Sequence, residues 1–292
     1  MKVIITGAEG QAGWELQKTR PRDWEVIGLN HAQLDITDAA AVGTLLHKQQ
    51  PDVIINAAAY TAVDKAETEK DKAFRVNHEG AANIARVAEE VNARLIHIST
   101  DFVFDGGKSS PYLPQDKQNP LNVYGASKLK GEEAVLKETM NKALVMRTGW
   151  VYSIHGKNFV KTILRLMAAK EEINVVEDQL GSPTWARDLA KTIWHFASHS
   201  IAEGIFHWTD AGVASWYDFA VAVQEEAHSL GILPAVIPVK PIQTKKYPTP
   251  AKRPHYSVLD KTATWDFLGY YALHWRKALR MMLAELKEGN YV

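Results

Sequence analysis

Tyr124 and Lys128 stand four residues apart in Tyr124-Gly125-Ala126-Ser127-Lys128, a spacing that places phenol and ammonium on one face of a helix. A tyrosine near its reference pKa of about 10 is a poor acid or base at neutral pH, and a nearby cation favours its phenolate form. The pair therefore predicts a tyrosine made usable by its lysine. In a reduction, a hydride would reach a carbonyl carbon while Tyr124 protonates the oxygen. Thr100, in Ser99-Thr100-Asp101, closes a strand-like run. Ligands bind beyond the C-terminal ends of parallel strands, so its hydroxyl is the expected hydrogen-bond donor to the same oxygen. Tyrosine and lysine meet at this spacing in many helices by chance; the combination with a glycine loop gives the pair its weight.

That loop is Thr6-Gly7-Ala8-Glu9-Gly10-Gln11-Ala12-Gly13, directly after an apolar strand and before a helix. Gly7 suits the tight turn, Gly10 the approach of a pyrophosphate, and Gly13 the packing of helix against strand. Phosphates would then meet the free N–H groups around Gly10, Gln11 and Ala12 at the positive end of the helix. The second strand ends in Gly28-Leu29-Asn30-His31 without an acid. An acid there binds the ribose 2′-hydroxyl and repels a 2′-phosphate, so Asn30 admits NADPH and favours it over NADH. Asp35 and Ile36 are placed near the adenine. The third strand ends in Asn56-Ala57-Ala58-Ala59-Tyr60-Thr61. Its small residues let the backbone of Ala58, Ala59, Tyr60 and Thr61 approach the nicotinamide ribose, which Lys128 would also hold. The plainer readings are turn residues at Asn30 and Asp35 and close packing at the alanines.

The elements that position these groups follow an alternating pattern. Continuous apolar runs at Lys2–Thr6, Glu25–Leu29, Asp52–Asn56, Arg94–Ile98 and Ala143–Arg147 read as strands buried on both faces. Helical segments lie between them at Gln11–Thr19, Asp38–Gln50, Asp71–Val91 and Tyr124–Glu138, with Asp38 placed to cap the second. This is an α/β doubly wound parallel sheet. After about residue 150 the rhythm changes. Helices are expected at Asn158–Lys170, Ala186–Ser198, Ser215–Ser229 and His274–Lys287, a strand at Ile173–Val176, and a structured loop over the proline-rich 234–254 stretch. The expected division is a dinucleotide-binding domain over 1–150 and a smaller, mainly substrate-binding domain over 151–292, with a segment near 186–208 returning to the first.

The 292 residues suffice for a sizeable core without a staple, and 34 Lys+Arg balance 34 Asp+Glu. With no net field, nucleic acid and anionic membrane are poor candidates for partners. The absence of cysteine excludes thiolate nucleophiles, disulfides and cysteine zinc sites. No apolar run reaches the ~18 residues of a membrane span. Val3-Ile4-Ile5 gives way to Gly7 and Glu9 too early for a signal peptide. A cytoplasmic protein acting on a small molecule is expected.

Six stretches carry a resemblance: Thr6–Gly13, Asn56–Glu67, Ser99–Phe104, Asn122–Lys128, Arg147–Tyr152 and Arg253-Pro254. In this order, over nearly the whole chain, the sequence resembles the extended short-chain dehydrogenase/reductase family. Ala62–Glu67 and Arg147–Tyr152 are more specific to it than the glycine loop. The resemblance implies a Rossmann-type domain with a small C-terminal substrate domain. It further implies NAD(P)H-dependent reduction of the C4 ketone of dTDP-4-dehydro-6-deoxy-L-mannose to dTDP-L-rhamnose. By motif, Tyr124 is the proton donor, Lys128 its partner, and Thr100 and Asp101 face the sugar. Trp150 would line the sugar pocket through its ring and indole N–H, and Arg253 would pair with the substrate diphosphate. A core tryptophan and a surface ion pair are the plainer readings of these two.

Some members of the family form dimers bridged by magnesium on glutamates. Glu15 and Glu285 match, but Gly181-Ser-Pro-Thr-Trp-Ala-Arg187 ends in arginine where a glutamate is expected, and arginine cannot ligate a cation. No metal requirement is expected, and the chain should be a monomer or a homodimer without a metal bridge. Gly149 replaces a usual serine. His195 and His199 have the spacing of a zinc pair, but no third ligand accompanies them, which favours a structural role. Nucleotide-sugar epimerases and dehydratases of the family share Thr100, Tyr124 and Lys128. Dehydratases, however, follow Thr-Asp with a glutamate, where this chain has Phe102. A non-catalytic NADP-binding regulatory subunit is the third reading, against which the intact Tyr124 and Lys128 argue.

Overall fold

A computed structural model describes residues 1–199 and 202–289. The first part of the chain supplies strands β1 (Lys2–Thr6), β2 (Glu25–Leu29), β3 (Val53–Asn56), β4 (Arg94–Thr100) and β5 (Leu144–Thr148). Between them run helices α1 (Gln11–Lys18), α2 (Ala39–Gln49), α3 (Val63–Ala66), α4 (Lys70–Phe74), α5 (Ala81–Glu90) and α6 (Val123–Glu138). Asp38 caps α2 as expected, its carboxylate accepting from the Ala41 N–H at 3.0 Å. Asn122 does the same for α6, accepting from Gly125 N–H at 2.8 Å, and so fixes where Tyr124 leaves the helix start.

The later chain adds β6 (Val151–Tyr152), α7 (Phe159–Ala169), β7 (Ile173–Val176), β8 (Leu180–Gly181), β9 (Thr184–Trp185), α8 (Ala186–Ala197) and β10 (Gly204–His207). Then come β11 (Ala214–Ser215), α9 (Trp216–Ser229), β12 (Val239–Ile242), α10 (Thr262–Leu268) and α11 (Trp275–Glu288). The main sheet runs β10-β5-β4-β3-β1-β2, and every pairing in it is parallel. This is the doubly wound, Rossmann-type α/β arrangement. Alternation along the strands divides the core. Val3, Ile5, Val53, Ile55, Leu144 and Met146 pack on the side of α1 and α8. Ile4, Ile54, Leu95 and Val145 pack under α2 and α5. A separate core of α7, α9 and α11 covers β7.

The helix expected over 71–91 is present, and two later elements differ from the expectation. That helix runs unbroken from α4 through a π-helical stretch, Arg75–Gly80, into α5. The proline-rich 234–254 stretch contains β12, which pairs in parallel with β7; Pro241 is accommodated because this is a two-stranded edge. Helix α10, which holds a hydroxyl (Thr264) against the His207 carbonyl at 2.6 Å, had no periodic signal strong enough to announce it. Among the described residues no helix is long and apolar enough to cross a membrane.

Candidate active site

A cleft of about 1040 Å³ opens at the C-terminal ends of β1–β5, between the sheet and the later chain. Every sequence-predicted site residue except Gly13 lines it. Gly7 has φ +68, and a Cβ there would stand 2.6 Å from the Ala58 nitrogen, so the turn and the close approach of the β3 loop both require glycine. Gly13 lies behind the loop, where a Cβ would meet Ala8 Cα at 2.8 Å and the Gly7 carbonyl oxygen more closely still. Gly10 caps α1 without a side-chain bond, and no acid occupies the first turn. The free N–H groups there have no intrahelical acceptor. A pyrophosphate supplies what they lack, so the cradle fits a dinucleotide.

Beyond β2, Asn30 Nδ2 donates to Glu9 Oε1 at 2.7 Å, which brings a glycine-loop carboxylate to the strand tip. Beyond β3, the π-helical turn aims Asn77 into the Ala57–Thr61 loop. Its Oδ1 accepts from Tyr60 N–H at 2.8 Å, and its Nδ2 donates to the Tyr60 carbonyl at 3.0 Å and to Ser127 Oγ at 2.9 Å.

Thr100, Asp101, Tyr124 and Lys128 converge at the cleft floor. Thr100 is 5% exposed, Asp101 3% and Lys128 2%, so the charges of Asp101 and Lys128 are set by burial rather than by water. Burial pushes the Tyr124 phenol up to about 12; a hydrogen bond from Thr100 opposes this and the Asp101 charge adds to it. Lys128 is not among the groups that offset this burial. The lysine is itself drawn down to about 8 by burial, against the pull of Glu132. Its Nζ points into the sheet, donating to the Ile98 carbonyl at 2.7 Å. Asp101 is raised to about 6 by burial, despite hydrogen bonds from Ser257 and Thr100. Phe102 packs edge-on against Tyr124 with ring centroids 5.9 Å apart, so no carboxylate stands at that position.

On the opposite wall, Trp150 lies parallel to Trp216 with centroids 3.5 Å apart. Its backbone is left-handed, φ +51, which is strained for so bulky a residue. Gly149 precedes it because a Cβ there would stand 2.6 Å from the Asp101 carboxylate. Arg253 reaches the cleft but gives both terminal nitrogens to Asp64, at 3.1 and 2.8 Å, so the ion pair is present at the cleft edge.

These features meet in a chain that matches the family described as RmlD substrate binding domain over residues 1–288. The chain belongs to that family. It is 41% identical to a dTDP-4-dehydrorhamnose reductase of Burkholderia thailandensis, over 98% of this chain and 99% of the relative. The reductase of the same name from Escherichia coli K12 is 40% identical, with 98% of each chain covered. A crystal structure of dTDP-4-dehydrorhamnose reductase from Bacillus anthracis in complex with NADP has a TM-score of 0.91 at 38% identity, covering 97% of this chain and 99% of that one.

Against the family pattern, Arg187 lies between the two matching glutamates. It donates to Glu15 at 3.1 Å and to Glu285 at 2.7 Å, while Lys18 also pairs with Glu285 and Ser153 Oγ donates to Glu15 at 2.9 Å. His195 and His199 stack at 4.5 Å, with His199 Nδ1 2.8 Å from the His195 carbonyl oxygen, a packing arrangement rather than a chelate. Sequence reasoning missed Trp216, Glu9, His97 and the buried pair Glu132–Arg147. Glu132 lies one turn beyond Lys128 on the same face and could have been found by that spacing. Trp216 comes from a distant helix and left no local signal.

Proposed function

We propose that this family member reduces the C4 ketone of dTDP-4-dehydro-6-deoxy-L-mannose to dTDP-L-rhamnose, using NADPH or NADH. The observation that carries the reading is the convergence of Thr100, Tyr124 and Lys128 at the floor of a cleft whose rim is a glycine cradle. The reduced nicotinamide supplies the hydride that the ketone carbon takes up. Gly7, Gly10, Gln11 and Ala12 hold the pyrophosphate, with Gly13 packing the helix behind them. Asn30, Asp35 and Ile36 meet the adenosine, and Ala58, Ala59, Tyr60, Thr61 and Lys128 the nicotinamide ribose.

With its pKa near 12, Tyr124 stays protonated through the neutral range and arrives as a proton donor. As the ketone oxygen gains charge it accepts the phenolic proton and a hydrogen bond from Thr100. Lys128, cationic below about 8, stabilises the phenolate left behind. Trp150 and Asp101 face the sugar. Arg253 stands at the cleft edge, where the substrate diphosphate would compete with Asp64 for its guanidinium. Phe102 cannot move a proton, which favours net reduction over water elimination.

In this reading residues 1–150 bind the dinucleotide and 151–292 mainly the sugar nucleotide, with 186–208 returning to the first part. The enzyme is cytoplasmic, a monomer or a homodimer without a metal bridge, because Arg187 supplies the positive charge between Glu15 and Glu285. Turnover should be unchanged by chelator; a loss restored by magnesium contradicts this. The deciding experiment supplies the dTDP-4-keto sugar and NADPH and identifies the sugar product. Tyr124→Phe should keep dinucleotide affinity and lose about 10²–10⁴-fold in turnover. Unchanged turnover removes Tyr124 from the mechanism.

A further inference from the structure

Behind Lys128 a line of buried polar groups runs from the cleft wall into the sheet. The Ala58 backbone N–H donates to Asn56 Oδ1 at 3.2 Å, and the Thr6 hydroxyl donates to the same oxygen at 2.7 Å. A backbone N–H can only donate, so this oxygen is fixed as the acceptor. The amide nitrogen of Asn56 must then face His97 Nδ1, 3.0 Å away. Nδ1 therefore accepts. The ring is 1% exposed, and burial together with the Lys128 charge holds its pKa well below the usual value, so it is neutral. A neutral imidazole that accepts at Nδ1 carries its proton on Nε2. Nε2 lies 3.4 Å from Lys128 Nζ. An ammonium at Nζ sets donor against donor; an amine offers a lone pair.

We propose that His97, oriented by Asn56, is a positioning residue that opposes the ammonium form of Lys128 and thereby sets the alkaline limit of the reduction. The link to reduction rests on the reading of Lys128 as the partner of Tyr124. Other groups bear on the same lysine. On α6, Tyr124 lies one turn before it and Glu132 one turn after. Glu132 favours the charged lysine, but its carboxylate is shared with Arg147 of β5, at 2.9 and 2.7 Å, and with the Ser99 hydroxyl of β4. Asp101, just beyond β4, also lies at the cleft floor. The Ile98 carbonyl accepts from Nζ. Of the groups on β4, His97 is the one whose effect depends on where a single proton sits.

Asn56→Asp tests this dependence. A carboxylate cannot donate, so Nδ1 must take the proton and Nε2 turns a lone pair to the lysine. The Nζ titration, followed by NMR on 15N-lysine-labelled protein, should move up by about one pH unit or more. The alkaline limb of turnover should move with it. The new carboxylate also acts through space, and Asn56→Asp in a His97→Phe background isolates that part; the excess shift in the presence of histidine belongs to the ring. Nitrogen NMR of the unmodified protein, free of substrate, should show His97 protonated at Nε2. An Nδ1 proton there, or equal shifts with and without the ring, overturns the proposal. An Nζ shift as expected in a protein that leaves the keto sugar untouched upholds the charge-setting role and overturns the function proposed above.

Discussion

Replacing Gly181 by alanine should dislodge Trp150. The backbone of Gly181 is not left-handed, so alanine fits the main chain. A Cβ there, however, would stand 2.5 Å from Trp150 Nε1 and 2.8 Å from Cζ2, and closer still to Cε2. Carbon contacts settle at about 3.5–4.0 Å, so the indole must retreat by about 1 Å. Trp216 lies parallel at 3.5 Å and the Trp150 backbone is already strained, which leaves little slack. Overpacking of this kind costs about 1–3 kcal/mol. Borne by the sugar subsite, that is roughly a 5- to 150-fold rise in KM for the keto sugar. Initial rates of NADPH oxidation at varied sugar concentration measure it, and dinucleotide affinity, measured separately, shows whether the effect stays in the sugar subsite. In a Trp150→Ala background the same substitution meets no ring and should add nothing. An unchanged KM, or equal penalties in both backgrounds, refutes the argument.

Asp101→Asn should stabilise the protein at neutral pH. Burial raises the carboxyl from 3.8 to about 6, so the folded state holds this proton more tightly than the unfolded one. Stability is therefore lost as pH climbs from about 4 to 6, reaching about 3 kcal/mol by pH 7. The amide should raise Tm at pH 7 and leave it alone at pH 4; an equal change at both would contradict this account. Glu132→Gln leaves the Arg147 guanidinium, 0% exposed, without its counter-charge and should cost about 3–5 kcal/mol in urea unfolding, whereas Glu132→Leu with Arg147→Met should cost far less. Equal losses would argue against the ion pair as the cause. Glu9→Gln removes the carboxylate that Asn30 holds at the tip of β2, and should raise the NADPH to NADH ratio of kcat/KM on the order of tenfold by relieving repulsion of a 2′-phosphate. A constant ratio would place that phosphate elsewhere.

Much of the site was legible because its parts are local. Gly7, Gly10 and Gly13 follow one strand, and Tyr124 and Lys128 share one helix face, so spacing alone located them. The five early strands were legible because burial on both faces leaves an unbroken apolar run. What escaped depends on contacts between distant segments. The setting of Lys128 was not legible, because its place one turn after Tyr124 says nothing about which way Nζ points; it turns to Ile98 and His97. Trp216 and Glu132 matter through what they pack against, Trp150 and Arg147. The strand inside the proline-rich stretch forms because β7 offers an edge, which no local propensity encodes.

The turn between α4 and α5 bears on how this chain can change length. A π-turn is an α-helix carrying one surplus residue. Deleting any residue between Arg75 and Gly80 would restore regular helix, yet it would rotate the flanking positions by about 100° against each other. Asn77 would swing away from Tyr60 and Ser127, and the loop beyond β3 would lose its brace. Insertions and deletions that surface loops absorb freely should thus be absent from this helix in working relatives, and a length difference within 75–80 would mark a chain whose β3 loop is held in another way.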